Sequence, residues 1–210
     1  MSARPTLVAD LSRFVRGRGP GRPPDPTTTE GHCELCPISL PTDHKHLLDL
    51  DERRIVCVCA TCWSMRSGDA RYRPTGSRTV WLEGFELSDE LWAEFQIPVG
   101  LAFFMRSSAT DAVVGLYPSP AGATESELDL EAWARLVAAN PNLSDLDPDA
   151  EGLIVNRLVN PHLYAIAPLD DCYRLVGLVK STWEGITGGQ AMEAAVKVYF
   201  DGLRATAGTR

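Results

Sequence analysis

Two pairs of cysteines in the first third of the chain have the spacing of metal ligands. Cys33 and Cys36 form one C-x-x-C motif, and Cys59 and Cys62 form a second. A tight turn places both sulfurs of a pair on one side, and a hairpin between the pairs would bring the two turns together. Four thiolates held this way suit one tetrahedral ion. We therefore predict a four-cysteine metal site that binds zinc, with iron as the alternative, because rubredoxins hold iron with the same ligands.

Three more residues of this segment carry metal-binding atoms. Cys57 lies two residues before Cys59 in an expected strand, and His44 and His46 share a strand face. Cys57 either replaces Cys59 as a ligand, bridges a second metal or packs, and C-x-x-C geometry favours packing. Each histidine either ligates, donates to a thiolate or lies on the surface. Together the three leave open a transient site for the delivery of nickel, iron or zinc.

The residues between and after the two pairs predict a small module. Residues 46–50 and 55–59 have the pattern of two strands around a turn, and residues 63–67 predict a short helix that ends at Gly68. The order turn, hairpin, turn and helix resembles a treble-clef or zinc-ribbon module, in which the metal supplies much of the folding free energy. Residues 69–80 are polar and predict a connecting loop. We expect the four-cysteine module to span residues 32–80.

Hydrophobic periodicity after residue 80 predicts a mixed α+β domain over residues 81–210. Residues 1–16 predict an N-terminal helix, and residues 17–31, rich in Pro and Gly, predict a disordered linker. The fold class is therefore α+β, with a small treble-clef/zinc-ribbon-like module ahead of the larger domain. Cys172 lies alone in an apolar stripe and is expected to be a buried thiol. The expected strands of the domain are 97–105, 112–117 and 163–167, and its expected helices are 88–95, 128–139, 148–155, 170–179 and 190–203.

Charge is distributed unevenly along the 210 residues, whose formal net charge is −8. Residues 1–80 hold 12 Lys and Arg against 9 Asp and Glu, whereas residues 81–210 hold 8 against 19. Phosphate contacts need Lys and Arg, so we do not expect nucleic acid as a partner. No apolar stretch reaches the roughly 18 residues of a membrane span, and the first residues do not resemble a secretory signal. We expect a cytoplasmic protein with reduced cysteines.

Motifs of common catalytic sites are missing from the sequence. It contains no G-x-S-x-G, P-loop, dinucleotide fingerprint or H-E-x-x-H. HNH nucleases also carry paired C-x-x-C motifs, but they need a histidine base and an Asn–His pair that residues 63–70 lack. Residues 117–127, which include an expected loop at 118–127, and residues 170–174 offer hydroxyls and carboxylates without a recognisable base–nucleophile pair. We therefore predict no catalytic residues and no enzyme activity.

Four long stretches of the chain resemble domain-of-unknown-function family 5947, which is found mainly in actinobacteria and is encoded beside uptake-type nickel–iron hydrogenases. The resemblance covers nearly all of residues 31–204 and implies an accessory or maturation role for such a hydrogenase, with a hydrogenase subunit or maturation protein as the partner. The family has no established catalytic residues to carry over. The stretches are CELCPISLPTDHKHLLDLDERRIVCVCATC at 33–62, IPVGLAFF at 97–104, LYPSPAGATESELDLEAW at 116–133 and APLDDCYRLVGLVKSTWEG at 167–185.

Two functional hypotheses follow from the metal site and the resemblance. The first is a zinc-binding accessory protein that assists assembly or function of a nickel–iron hydrogenase through protein–protein contacts. The alternative is a rubredoxin-like iron redox protein or a metal-delivery protein for the same system. Colour separates them, because ferric thiolate sites absorb visible light and zinc does not. The sequence leaves the oligomeric state open.

Overall fold

The computed structural model describes residues 31–41, 44–52, 54–185 and 188–209. The expected helix over residues 1–16 lies outside these ranges, as does the expected linker except for Gly31. Within them the chain forms two sheets, in which nearly all strand pairs are antiparallel, and five α-helices. The mixed α+β class predicted from the sequence is confirmed, with the four cysteines clustered in the N-terminal part.

The smaller sheet contains the cysteine segment. Strands β1 (Lys45–Asp49) and β2 (Arg54–Val58) form an antiparallel hairpin, and helix α1 (Ala60–Arg66) follows the second C-x-x-C pair. Strand β3 (Tyr72–Pro74) pairs with the other edge of β1, giving the order β2-β1-β3. The predicted hairpin and the helix after it are present. The loop expected over residues 69–80 was wrong, since it contains β3 and the first residue of β4.

The larger sheet has seven strands in the order β10-β4-β9-β8-β5-β6-β7, and only the pair β10–β4 is parallel. Its strands are β4 (Val80–Trp81), β5 (Leu101–Ser107), β6 (Ala112–Ser119), β7 (Gly122–Ser126), β8 (Glu151–Asn156), β9 (Leu163–Pro168) and β10 (Gly208–Thr209). The remaining helices are α2 (Asp89–Glu94), α3 (Leu130–Ala139), α4 (Leu169–Thr182) and α5 (Gly189–Thr206), with a 3-10 helix at Pro141–Asp145. None of the helices in the described ranges is long and apolar enough to cross a membrane.

Helices cover both faces of the larger sheet, so its central strands are buried on both sides. Along β5, Leu101, Phe103 and Met105 enter one core with α4 and α5, while Ala102 and Phe104 enter a second core with α2 and α3. Successive side chains of a strand point to opposite faces, which explains the continuous apolar sequence of this strand. The predicted doubly buried strand is confirmed, although it begins at Leu101 and not at residue 97.

One face of the smaller sheet packs against the first of these two cores, the one that contains α4 and α5. Leu48 is part of that core, and Ile55, its partner across the hairpin, packs against it. The opposite face supplies Leu47, Val56 and Val58 to a separate small core beside the cysteines. The hairpin therefore has two buried faces, and side chains on the Leu48 face meet the larger domain.

Two expectations about the larger domain were wrong. Residues 148–155 were expected to be a helix, but they enter β8, whose six residues are all buried in the middle of the sheet. Residues 118–127 were expected to be a loop, but 118–119 end β6 and 122–126 form β7. Gly122 makes the turn into β7 with a φ of +121°, a conformation open to glycine because it has no Cβ.

Candidate metal centre

The first cysteine pair lies in a short loop that is anchored to β2. The Cys33 N–H donates to the Ile38 carbonyl at 2.8 Å, which closes the loop. Glu34 then makes two hydrogen bonds to the backbone of Cys57: its N–H donates to the carbonyl at 2.9 Å, and its carboxylate accepts from the N–H at 2.8 Å. This double contact fixes the distance between the loop and the strand that leads to the second pair.

The second pair lies at the start of α1. Cys59 caps this helix, because its Sγ accepts a hydrogen bond from the Cys62 N–H at 3.4 Å. The Cys59 N–H in turn donates to Cys33 Sγ at 3.3 Å. A backbone N–H aimed at sulfur stabilises a thiolate, since the donor carries a partial positive charge. The two turns are therefore joined through sulfur as well as through the backbone.

All four sulfurs lie within 4.8 Å of one another, so the structure brings together the four cysteines that the spacing singled out. Cys36 Sγ and Cys59 Sγ are 3.8 Å apart. In a regular tetrahedron with metal–sulfur bonds of about 2.3 Å, the sulfurs are separated by about 3.8 Å. The donor set and this spacing fit a tetrahedral metal ion held by Cys33, Cys36, Cys59 and Cys62.

The thiols of this cluster differ in acidity. Burial raises the pKa of Cys33, but hydrogen bonds from the backbone of Cys59 and Leu35 and contacts with Cys36 outweigh burial and lower it to about 7. The contact with the Cys36 thiol, followed by burial, raises the pKa of Cys62 to about 12. Crowded sulfurs cannot all carry a negative charge without a compensating cation. The cluster is thus electrostatically suited to a metal cation.

Cys57, His44 and His46 form a second group beside the first. One ligand atom from each lies within 4.8 Å of the others. His46 and Cys57 are opposite each other in the β1–β2 ladder, and the rings of His44 and His46 have centroids 4.7 Å apart. Burial and the nearby Glu34 carboxylate raise the pKa of Cys57. The structure therefore groups Cys57 with the histidines and not with the four-cysteine cluster.

Sequence reasoning missed the contact that joins this second group to the larger domain. Asp170, in the first turn of α4, places Oδ2 3.0 Å from His46 Nδ1. From the sequence alone, Asp170 is distinguished only within residues 170–174, as one of several polar side chains. Because the two residues are far apart in the chain, no spacing pattern signals this contact.

The arginines of the front segment that the structure describes have partners within the chain. Arg54 pairs with Glu34 and Glu52, Arg71 with Asp49, and Arg78 with Glu151.

Neither a curated protein nor a solved structure matches the chain. A family defined by sequence does match it: DUF5947, a family of unknown function, covers residues 32–207. This range includes both cysteine pairs, the second ligand group and every strand of the two sheets except β10. The chain belongs to the DUF5947 family.

Proposed function

We propose that the chain is a zinc-stabilised accessory protein that acts by binding another protein. The observation that carries this proposal is the cluster of four sulfurs with backbone N–H donors aimed at Cys33 and Cys59. Four protein ligands fill the coordination sphere of a tetrahedral ion and leave no position for a substrate, as in structural zinc sites. The core beside the cluster contains few buried side chains, so a metal would contribute much of the stability of the module.

Zinc is our choice over iron for two reasons. Rubredoxin sites have a glycine after each cysteine pair, whereas Pro37 and Trp63 occupy those positions here. Zinc also has no redox chemistry, which suits a site whose role is structural. We place the protein in the cytoplasm, where thiols stay reduced and available to the metal.

A surface on the larger domain supports a role in protein binding. Leu158 and Val159, between β8 and β9, are 45% and 40% exposed. Beside Leu158 lies an apolar groove of about 290 Å³ whose lining includes Val99 and Trp183. Adjacent exposed apolar residues next to a groove are typical of surfaces that bind other proteins. We propose a nickel–iron hydrogenase subunit or one of its maturation proteins as the partner, following the role that the family resemblance implies.

Metal analysis of full-length protein, purified without chelator or affinity nickel, tests the zinc assignment. We expect one zinc per chain and no visible absorption, and we expect Cys36→Ser to lose the zinc. Cys172→Ala is the control, since this thiol is buried in the larger domain away from the cluster. Iron with thiolate charge-transfer bands would contradict the assignment and favour electron transfer.

Capture of partners from cells that make the hydrogenase tests the partner. Tagged wild-type protein should retain hydrogenase or maturation polypeptides identified by mass spectrometry, and Leu158→Asp should retain at least about tenfold less, equivalent to a loss of about 1.4 kcal/mol. Val198→Asp is the matched control, because Val198 is an exposed apolar residue on α5, 71% exposed, and does not line the groove. Equal capture by both variants would show that the groove is not the interface.

A further inference from the structure

We propose that His44, His46 and Cys57 form a second metal site, which binds a late first-row divalent ion such as zinc, cobalt or nickel in an exchangeable manner. The three residues supply two imidazoles and one thiol, with one ligand atom from each within 4.8 Å of the others. This proposal goes beyond the function proposed above and does not depend on the partner named there.

The first argument is that both histidines are held in the tautomer that a metal needs. His44 Nδ1 lies 2.8 Å from the Pro41 carbonyl, and His46 Nδ1 lies 3.0 Å from Asp170 Oδ2. A carbonyl and a carboxylate accept hydrogen bonds, so in each neutral ring Nδ1 carries the proton. The Nε2 lone pair is then available to a metal. Histidine ligands are commonly oriented in this way by an oxygen that accepts from the other ring nitrogen.

The second argument concerns polar atoms that lack partners. His44 Nε2 is buried and has no hydrogen-bond partner among the described residues, and the same is true of Asp170 Oδ1. Leaving a buried polar atom unsatisfied is unfavourable, and such an atom calls for a ligand or an ion. An ion between His44, His46 and Cys57 would satisfy His44 Nε2.

The third argument is that the site is built on rigid elements. His46 and Cys57 are directly opposite in the β1–β2 ladder, so their side chains share one face of the hairpin. That face packs on the larger domain through Leu48 and Ile55. The site therefore lies where the smaller sheet meets α4, and Asp170 joins the two parts of the chain.

The ligand number distinguishes this site from the four-cysteine cluster. Three protein ligands leave one position of a tetrahedral ion open, and open sites exchange their ion or bind a further ligand. Two imidazoles and one thiolate favour ions of intermediate softness, which lie between the hard metals that prefer oxygen ligands and the soft metals that prefer sulfur. A separation of up to 4.8 Å closes to a bonding arrangement through small side-chain rotations, since ligands around one ion are about 3.3–3.8 Å apart.

Titration with Co²⁺ tests the site on full-length protein that already carries its zinc. We expect wild type to bind one Co²⁺ per chain without releasing zinc, with visible d–d bands and a thiolate charge-transfer band. His44→Gln and Cys57→Ala should each weaken Co²⁺ binding by more than about tenfold, and Asp170→Asn by about tenfold, because loss of the oriented hydrogen bond weakens a histidine ligand.

His162→Gln is the matched control, because His162 Nδ1 also lies 2.8 Å from a carbonyl three residues earlier but outside the cluster. It should bind Co²⁺ like wild type. Each variant is checked for one retained zinc and an unchanged circular dichroism spectrum, and His44→Gln keeps the test decisive if Cys57→Ala fails to fold. The proposal is overturned if wild-type protein that carries one zinc binds no Co²⁺, or if His44→Gln binds Co²⁺ as tightly as wild type.

Discussion

Asp49 Oδ2 lies 2.6 Å from Arg71 Nη2, and Arg71 Nε lies 3.1 Å from both oxygens of the same carboxylate. This ion pair joins the end of β1 to the residue that precedes β3. The Asp49 side chain is only 1% exposed, and its Oδ1 also accepts from the N–H groups of Asp51 and Glu52 in the hairpin turn. One carboxylate therefore links the hairpin turn to the start of β3 at one end of the smaller sheet.

We expect Asp49→Asn to destabilise the smaller sheet by about 2 kcal/mol at neutral pH, since hydrogen bonds to a charged group are lost. Burial alone would raise the pKa of Asp49, but hydrogen bonds from Arg71 and from the Glu52 amide lower it below its ordinary value. The stabilisation is therefore present above about pH 4 and is lost as the pH falls through the lowered pKa.

Urea denaturation at a series of pH values measures this dependence. The difference in free energy of unfolding between wild type and Asp49→Asn should shrink as the solution becomes acidic. Asp51→Asn is the matched control, because the Asp51 side chain is 71% exposed and its ion pair with Arg71 is longer, at 3.5 Å. A difference that stays constant down to pH 2 would show that the ionised carboxylate does not stabilise the fold.

The second prediction concerns removal of the metal from the four-cysteine cluster. The core beside the cluster is small, whereas the two cores of the larger sheet contain none of the four cysteines. Chelation should therefore loosen the cysteine segment and leave the larger sheet folded. Acid should have the same effect, because the cysteine thiols bind the ion only when they are deprotonated.

Hydrogen–deuterium exchange, read by mass spectrometry, checks this prediction peptide by peptide. After chelation, peptides from residues 33–62 should exchange at least about tenfold faster, corresponding to about 1.4 kcal/mol of lost protection. Peptides from β5 and β8 serve as the internal control and should be unchanged. Faster exchange over the whole chain would mean that the metal supports both parts, and unchanged exchange would mean that it supports neither.

The sequence was most informative where spacing or periodicity is a local property. The two C-x-x-C pairs and the hairpin between them are present as expected, and α3, α4 and α5 are close to their predicted positions. Helix α2 lies within the predicted range 88–95, and Ser88 at its start caps it by accepting from the Leu91 N–H at 3.2 Å. These features follow from contacts between residues that are near each other in the chain, so a sequence pattern can predict them.

The expectations that were wrong depended on distant neighbours. The apolar run in β8 is too short for its periodicity to distinguish a buried strand from a buried helix. It forms a strand because it pairs with β5 on one side and β9 on the other. Tyr72–Pro74 becomes a strand only because β1 offers a free edge. Likewise, the approach of Asp170 to His46 arises where the smaller sheet meets α4, which no local pattern encodes.

The third prediction concerns the Asn140 side chain, which ties α3 to the segment before α2. Its Oδ1 accepts from the Glu86 N–H at 2.8 Å, and its Nδ2 donates to the carbonyls of Glu86 and Leu136 at 2.8 and 3.0 Å. Asn140 is buried, so Asn140→Ala would remove the partner of the Glu86 N–H and of the Glu86 carbonyl, while the Leu136 carbonyl would still accept from the N–H of residue 140. We expect a loss of about 2–3 kcal/mol in the free energy of unfolding.

Urea denaturation at neutral pH measures this loss. Asn142→Ala is the control two residues later, because Asn142 is exposed. It should change the free energy of unfolding by less than about 0.5 kcal/mol. If the two variants were equally stable, water would replace the Asn140 hydrogen bonds without cost.

The last prediction concerns close packing between β8 and α4. A Cβ added at Gly152 would lie 2.7 Å from Cys172 Sγ and 3.3 Å from the Phe104 carbonyl oxygen. Cys172 is 0% exposed, so its sulfur has no room to move away without disturbing the core. We expect Gly152→Ala to destabilise the protein by about 1–3 kcal/mol through overpacking.

A double-mutant cycle with Cys172→Ala tests this mechanism, because removal of the sulfur makes room for the new methyl group. The two substitutions together should cost at least about 1 kcal/mol less than the sum of the single effects, measured by urea denaturation. Gly177→Ala is the control, because Gly177 lies in α4 with Cys172 and a Cβ there would meet nothing within 4 Å. This substitution should stabilise α4 by about 0.5–1 kcal/mol. Additive effects of Gly152→Ala and Cys172→Ala would show that the sulfur is not what excludes a side chain at residue 152, and that the backbone at Phe104 is the constraint.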